Sequence, residues 1–163
     1  MERIAVFPGS FDPITAGHES LVSRGLNIFD KIIVGVGVNA DKHGFLPFEK
    51  RLELIKSVFK GNSRVMVKTY ENLTVDFCIE NGASHILRGL RTSADFEYER
   101  SIAQVNKTLR PQIDTVFLLA LPEFSSVSSS LVREVIHYRG DARKFLPLGI
   151  DFEYFFGYNP DNQ

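Results

Sequence analysis

The chain has a single cysteine, Cys78, no surplus of positive charge and no long apolar run, and each shortage removes a class of function. One cysteine excludes an intrachain disulfide framework, and its neighbours Val75, Phe77 and Ile79 mark it as a buried thiol in a reducing compartment. With 19 Lys and Arg against 20 Asp and Glu the formal net charge is −1, so nucleic acid is not an expected partner, because nucleic-acid domains carry a clustered basic excess. Any phosphate recognition must be local. No apolar stretch approaches the ~20 residues of a membrane-spanning helix. Met1-Glu2-Arg3 leads into the first apolar run without a signal-peptide pattern, so no membrane partner and a cytoplasmic location are expected. Repeats and low-complexity tracts are also missing, and 163 residues at 44% hydrophobic have the length of one globular domain.

The stretch around which the rest is organised is Pro8-Gly9-Ser10-Phe11-Asp12-Pro13-Ile14-Thr15-Ala16-Gly17-His18, set between the apolar run Ile4-Ala5-Val6-Phe7 and an amphipathic segment. It reads as strand, tight loop and helix start. Gly9 permits close approach of backbone to a ligand, and Pro8 and Pro13 stiffen the loop. Gly17-His18 opens a helix over 18–29 whose free N–H groups and positive dipole end suit an anion. A histidine at such a mouth can donate to phosphate oxygens, and Ser10 adds a hydroxyl on the facing side.

Residues 31–38 form a nearly continuous β-branched run, the pattern of a strand buried on both faces of a parallel sheet. Gly35-Val36-Gly37-Val38-Asn39-Ala40 formally matches G-x-G-x-x-A, but the glycines lie inside the strand, and a polar loop over 41–47 follows where a dinucleotide fingerprint requires a helix. Lys42 in that loop follows the carboxyl end of the second strand, where open α/β sheets bind ligands, and is a candidate phosphate ligand. Phe48, Leu52, Ile55 and Phe59 predict a helix over 47–60 with Pro47 in its first position. A strand at 65–70, a helix at 74–81 capped by Thr74 and a short strand at 85–87 come next. Immediately beyond stand Arg88-Gly89-Leu90-Arg91, two guanidinium forks suited to phosphate, with Gly89 removing a side chain that would hinder approach.

Thr92-Ser93-Ala94-Asp95 starts a long helix in which Ala94, Tyr98, Ile102, Val105 and Leu109 make one apolar stripe, and Asp95 and Glu99 share a face. A fifth strand at 115–121 leads to a serine run at a helix N-terminus, again a pattern for an anion site. The aromatics Phe152, Tyr154, Phe155, Phe156 and Tyr158 of the tail imply packing on this domain or a neighbouring subunit. Strands alternating with helices predict an α/β fold: a Rossmann-like, doubly wound parallel sheet of five strands in the order 3-2-1-4-5. That order brings His18, Arg88 and Arg91 to the topological switch.

The motifs Ser10-Phe11-Asp12-Pro13 with Thr15-x-Gly17-His18, Arg88-Gly89-Leu90-Arg91 followed by Asp95-Phe96-Glu97-Tyr98-Glu99, and Val127-Ser128-Ser129-Ser130 with Arg133 stand in the order and spacing of one family. The chain resembles the nucleotidyltransferases that share a T/HxGH motif, and among them the phosphopantetheine adenylyltransferases of bacterial coenzyme A synthesis. The likeness runs from about residue 3 to residue 147. It implies AMP transfer from ATP to 4′-phosphopantetheine, giving dephospho-coenzyme A and pyrophosphate, with Mg²⁺ as cofactor, a homohexameric assembly and coenzyme A as feedback ligand. By the same resemblance Ser10, Lys42, Thr74 and Arg88 hold phosphopantetheine, and His18, Ser10 and Lys42 are catalytic. ATP falls to Ser10, Phe11, His18, Gly89, Leu90, Arg91, Glu99 and the span Phe124, Ser125, Ser126, Val127, Ser128, Ser129 and Ser130. Ser10 stands where many relatives have threonine and Phe124 where some have tryptophan. The tail over 148–163 departs from the family pattern, and nothing is carried over there. A cytidylyl- or nicotinamide-mononucleotide-type transferase would share the Thr15-x-Gly17-His18 loop but is disfavoured by Arg88-Gly89-Leu90-Arg91. A non-catalytic nucleotide sensor is disfavoured by His18, Lys42 and Arg88 together.

Overall fold

The computed structural model of the protein describes residues 2–38 and 44–162. Five strands, β1 (Ile4–Gly9), β2 (Lys31–Gly37), β3 (Val65–Tyr70), β4 (His85–Leu90) and β5 (Asp114–Leu119), form one sheet in the order β3-β2-β1-β4-β5. Every pairing is parallel, so the predicted strand order holds. Helices α1 (Ala16–Gly25), α2 (Phe48–Val58), α3 (Thr74–Glu80) and α4 (Ser93–Leu109) make the crossovers, and α5 (Ser129–His137) and the short α6 (Phe152–Phe156) follow β5. The central strands carry the burial. β2 is covered along its whole interior, as its β-branched run requires, and alternate side chains of β1 and β2 serve opposite faces. Ala5, Phe7, Ile32 and Val34 join Leu21 and Val22 of α1 with Leu54 and Ile55 of α2. Val6 and Ile33 join Val75, Phe77 and Cys78 of α3. Burial pushes the Cys78 thiol up to about 12, which keeps it protonated and fits the core role read from its neighbours.

Several boundaries differ from expectation for identifiable reasons. β4 does not stop at 87 but runs on to Leu90, because Arg88, Gly89 and Leu90 continue the ladder opposite Phe117, Leu118 and Leu119. Arg88 therefore projects from a strand. The first helix starts at Ala16 and ends at Gly25, where a side chain would meet Ile32 and Leu87 at 2.8 Å. Thr74 does not cap α3: the preceding Leu73 occupies the cap position, and the Thr74 hydroxyl pairs with that of Tyr70 at 3.0 Å. The apolar stripe of α4 is not core, since Tyr98 and Val105 are 69% and 59% exposed and the helix buries only Glu99.

The tail packs on the domain. Phe152 and Tyr158 join Val132 and Ile136 of α5, and Phe155 reaches the main core. Asp151 caps α6 by accepting from the Tyr154 N–H at 3.0 Å. The Tyr154 hydroxyl donates to Glu53, and Lys50 donates to the Tyr154 carbonyl, so the tail is fastened to α2. Burying an aromatic side chain of this size contributes about 1.5–3 kcal/mol, offset in part by ordering the chain. Truncation after Pro147 is therefore expected to lower the thermal midpoint by several degrees and to raise binding of a hydrophobic dye. An unchanged midpoint and dye background would make the tail a passive appendage.

Candidate active site

β1 and β4 are neighbours yet pair only at Ala5 with His85 and Val6 with Ile86. Beyond that point β1 stays with β2 as far as Gly9 and Val36, while β4 stays with β5 as far as Leu90 and Leu119. The sheet thus opens at its carboxyl end where the strand order reverses, the usual ligand position of open α/β sheets. The Arg88 side chain crosses the opening and donates from Nη1 to the Pro8 carbonyl at 2.6 Å. A cavity of about 520 Å³ fills the split, a size typical of small-molecule sites.

Most residues singled out from the sequence meet on its wall. Ser10, Phe11 and His18 line one side, and Arg88, Gly89, Arg91, Glu99, Phe124, Val127, Ser128 and Ser129 the other. Leu90, Ser125, Ser126 and Ser130 do not: Leu90 is buried, Ser125 Oγ donates to the Pro122 carbonyl, and Ser130 accepts from Arg133. Thr74 lines a second cavity of about 200 Å³ together with Tyr70 and Asn106. The two cavities share Pro8, Gly9, Arg88 and Glu99 as a common wall. Lys42 lies outside the described residues. Tyr70, Asn106 and Tyr98 were not singled out as site residues: Tyr70 and Asn106 carry no motif, Tyr98 lies within one but was read as part of an apolar stripe, and the folding of β3 and α4 around the split brings all three there.

His18 is held by the local helix start. The Thr15 hydroxyl accepts from the His18 N–H at 3.3 Å, and the Thr15 N–H donates to His18 Nδ1 at 3.0 Å, a reciprocal capping box. The His18 amide is therefore not free for an anion, contrary to expectation. An Nδ1 that accepts must carry its proton on Nε2, so the neutral ring presents an N–H donor. Phe11 packs edge-on against the imidazole at 5.1 Å between centroids. Burial, and then the charges of Arg88 and Arg91, pull His18 down from its ordinary 6.5 to about 4.

Other side chains brace the loop. Asp12 accepts from the N–H groups of Phe45 and Leu46 at 2.6 and 2.9 Å and pairs with Arg51 at 3.6 Å, both partners being buried. Arg51 also donates to the Ser10 carbonyl at 3.2 Å. From α5, Arg133 donates to the Asp12 carbonyl at 2.8 Å and Ser129 Oγ to that of Pro13 at 2.9 Å, while Ser128 caps the helix. The serine run is thus partly committed to holding the loop. Gly9 and Gly89, both on the cavity wall, also make room within the protein: a Cβ on Gly9 would press on the Phe11 ring at 2.9 Å, and one on Gly89 would strike Leu21.

The depressed His18 value has a readable consequence. Between pH 6.5 and about 4 the unfolded chain takes up a proton that the folded site refuses, so stability is full above pH 6.5 and falls as pH drops through this window. An NMR titration of the imidazole is expected to show a midpoint near 4 in the free protein and a higher one with a non-hydrolysable nucleoside triphosphate bound, because the anion favours the imidazolium. A free-protein midpoint at the ordinary value would contradict this geometry.

The Cytidylyltransferase-like family matches residues 6–135. A phosphopantetheine adenylyltransferase of Bacteroides thetaiotaomicron is 46% identical over 91% of this chain and 98% of its own length. One of Flavobacterium psychrophilum is 48% identical over 89% of this chain and 95% of its own. Among solved structures, a bifunctional NMN adenylyltransferase/ADP ribose pyrophosphatase of Francisella tularensis, complexed with AMP and a Mn ion, superposes with a TM-score of 0.68 at 16% identity. That match covers 93% of this chain and 46% of the bifunctional one, and it reports the fold alone. With Thr15, Gly17, His18, Arg88, Gly89 and Arg91 lining the split in the sheet, and with these relatives along nearly its full length, the chain belongs to the phosphopantetheine adenylyltransferase family of cytidylyltransferase-like proteins.

Proposed function

We propose that the protein transfers AMP from ATP to 4′-phosphopantetheine, releasing pyrophosphate and dephospho-coenzyme A. The observation that carries this reading is the pair of unequal cavities sharing Pro8, Gly9, Arg88 and Glu99 as a common wall. A two-substrate transfer needs two sites whose reactive ends touch, and a seam bearing a guanidinium suits the meeting of two phosphates. The larger cavity, with His18, Gly89, Arg91, Phe124 and Val127, takes ATP. The smaller, with Thr74 and Arg88, takes phosphopantetheine, with Ser10 and Lys42 completing the grip on its phosphate as the resemblance implies.

The nucleophile is already an anionic phosphate oxygen and needs no strong base. It attacks the α-phosphorus in line with the leaving pyrophosphate, one P–O bond forming as the other breaks, without a covalent enzyme intermediate. Catalysis is then positioning plus stabilisation of charge growing on the α-phosphate oxygens, and the Nε2 donor of His18 supplies the latter. No group of three or more His, Cys, Asp and Glu able to hold a metal occurs among the described residues, and Asp95 and Glu99 are each paired with an arginine. A protein cage for Mg²⁺ does not fit these residues, so the ion would arrive on the phosphates of ATP, with water completing its shell.

The outward apolar stripe of α4, with Ile102, Val105 and Leu109, is consistent with the homohexamer implied by the resemblance. Coenzyme A, which joins an adenylate to a pantetheine arm, matches the paired cavities as a feedback ligand. Pyrophosphate release tests the reading. Turnover is expected with ATP plus phosphopantetheine and not with CTP, nor with ATP plus nicotinamide mononucleotide; the reverse preference would overturn it.

A further inference from the structure

We infer that Arg51, buried in a pair with Asp12, is a positioning residue for His18 and acts through the left-handed backbone of Phe11. The inference rests on the reading above, in which His18 stabilises charge at the α-phosphate. Asp12 and Arg51 are each 8% exposed, and burying two charges gains little over apolar packing, so the pair is read by what it holds. The two side chains divide the work. Both carboxylate oxygens of Asp12 accept backbone N–H groups, those of Phe45 and Leu46. Arg51 takes carbonyls instead: Nη1 donates to Ser10 at 3.2 Å and Nη2 to Leu46 at 3.3 Å. Its Nε makes no hydrogen bond and stands 3.6 Å from Asp12 Oδ1, so charge alone joins the pair. The fit is close, since a Cβ on Gly44 would strike Arg51 Nη2 and crowd Asp12 Oδ2 at 2.9 Å.

These bonds flank a backbone that needs holding. Phe11 has a φ of 47°, in the left-handed region that a bulky side chain seldom adopts unless its surroundings impose it. The Ser10 carbonyl before it is fixed by Arg51 from α2, and the Asp12 carbonyl after it by Arg133 from α5. In this conformation the buried Phe11 ring stands edge-on to the imidazole of His18 at 5.1 Å between centroids, and edge-on to Phe7 at 5.3 Å. The Thr15 N–H fixes His18 at Nδ1, while Phe11 supports the ring and keeps water from it. A catalytic donor depends on such support, because a displacement of about 1 Å can cost ~10²-fold in rate.

Arg51→Lys tests the inference, because it keeps the charge beside Asp12 but replaces a planar fork with a point contact that cannot hold both carbonyls alike. In single-turnover kinetics the substitution is expected to slow the chemical step about tenfold or more in the wild-type background. In a His18→Ala background it is expected to cost less than about twofold, because the group through which Arg51 acts is then gone. An NMR titration of the free protein gives a second readout. The His18 midpoint near 4 is expected to rise toward the ordinary 6.5 in Arg51→Lys as water reaches the ring, and with Arg88 and Arg91 untouched, lost charge is not the cause. Full additivity of the two substitutions, or an unmoved midpoint, would overturn the inference. If Arg51→Lys does not fold, the double variant Asp12→Asn with Arg51→Met, which leaves neither charge buried alone, gives the same comparison. Wild-type protein that turns over no phosphopantetheine would overturn the proposed reaction itself, and the titration of the free protein would still decide whether Arg51 positions His18.

Discussion

The parting of β1 from β4 is the constraint on which the rest of the structure depends. Two adjacent parallel strands give up their ladder after Val6 and Ile86, and exposed backbone groups in a closed interior would be costly. In the structure the opening is a cavity, and Arg88 satisfies the Pro8 carbonyl. The same residue therefore closes the wall of the sheet and places a charge on the wall of both cavities. The split is braced from several sides: Phe11 lies over Gly9, Leu21 over Gly89, and Asp12 accepts from the N–H groups of Phe45 and Leu46.

The chemistry follows from this geometry with few active groups. A phosphate nucleophile and a pyrophosphate leaving group need alignment and charge compensation, not a strong base, and the groups proposed for this are a guanidinium bonded on two sides and a histidine whose surroundings favour its neutral form. Placing the Nδ1 acceptor on the Thr15 amide makes the helix cap and the Nε2–H tautomer one device. That explains why the motif joins Thr15 to His18 at a spacing of three.

Much of the fold was legible because its signals are local and strong. The β-branched run of β2, the helix-breaking glycines and the alternation of strand and helix define a parallel sheet, and its order placed His18, Arg88 and Arg91 together as anticipated. What the sequence hid was the use of polar groups for bracing. Nothing in Ser128, Ser129 or Arg133 distinguishes a phosphate ligand from a residue that caps a helix or holds the loop through Asp12 and Pro13. Gly9 and Gly89, read as room for a ligand, do lie on the cavity wall, and they also make room for Phe11 and Leu21, which no local pattern announces. The stripe of α4 shows the same limit from the apolar side, since periodicity identifies a face without saying whether its partner is this sheet or another chain.

The central claim is that a preorganised neutral donor at His18 stabilises charge at the α-phosphorus. Single-turnover kinetics of His18→Ala, with ATP affinity measured alongside, tests it most directly. The chemical step is expected to slow by about 10²-fold or more, in line with removing one preorganised donor to a developing oxyanion, while ATP affinity stays within about threefold. An unchanged chemical step, or a loss carried wholly by ATP affinity, would contradict it.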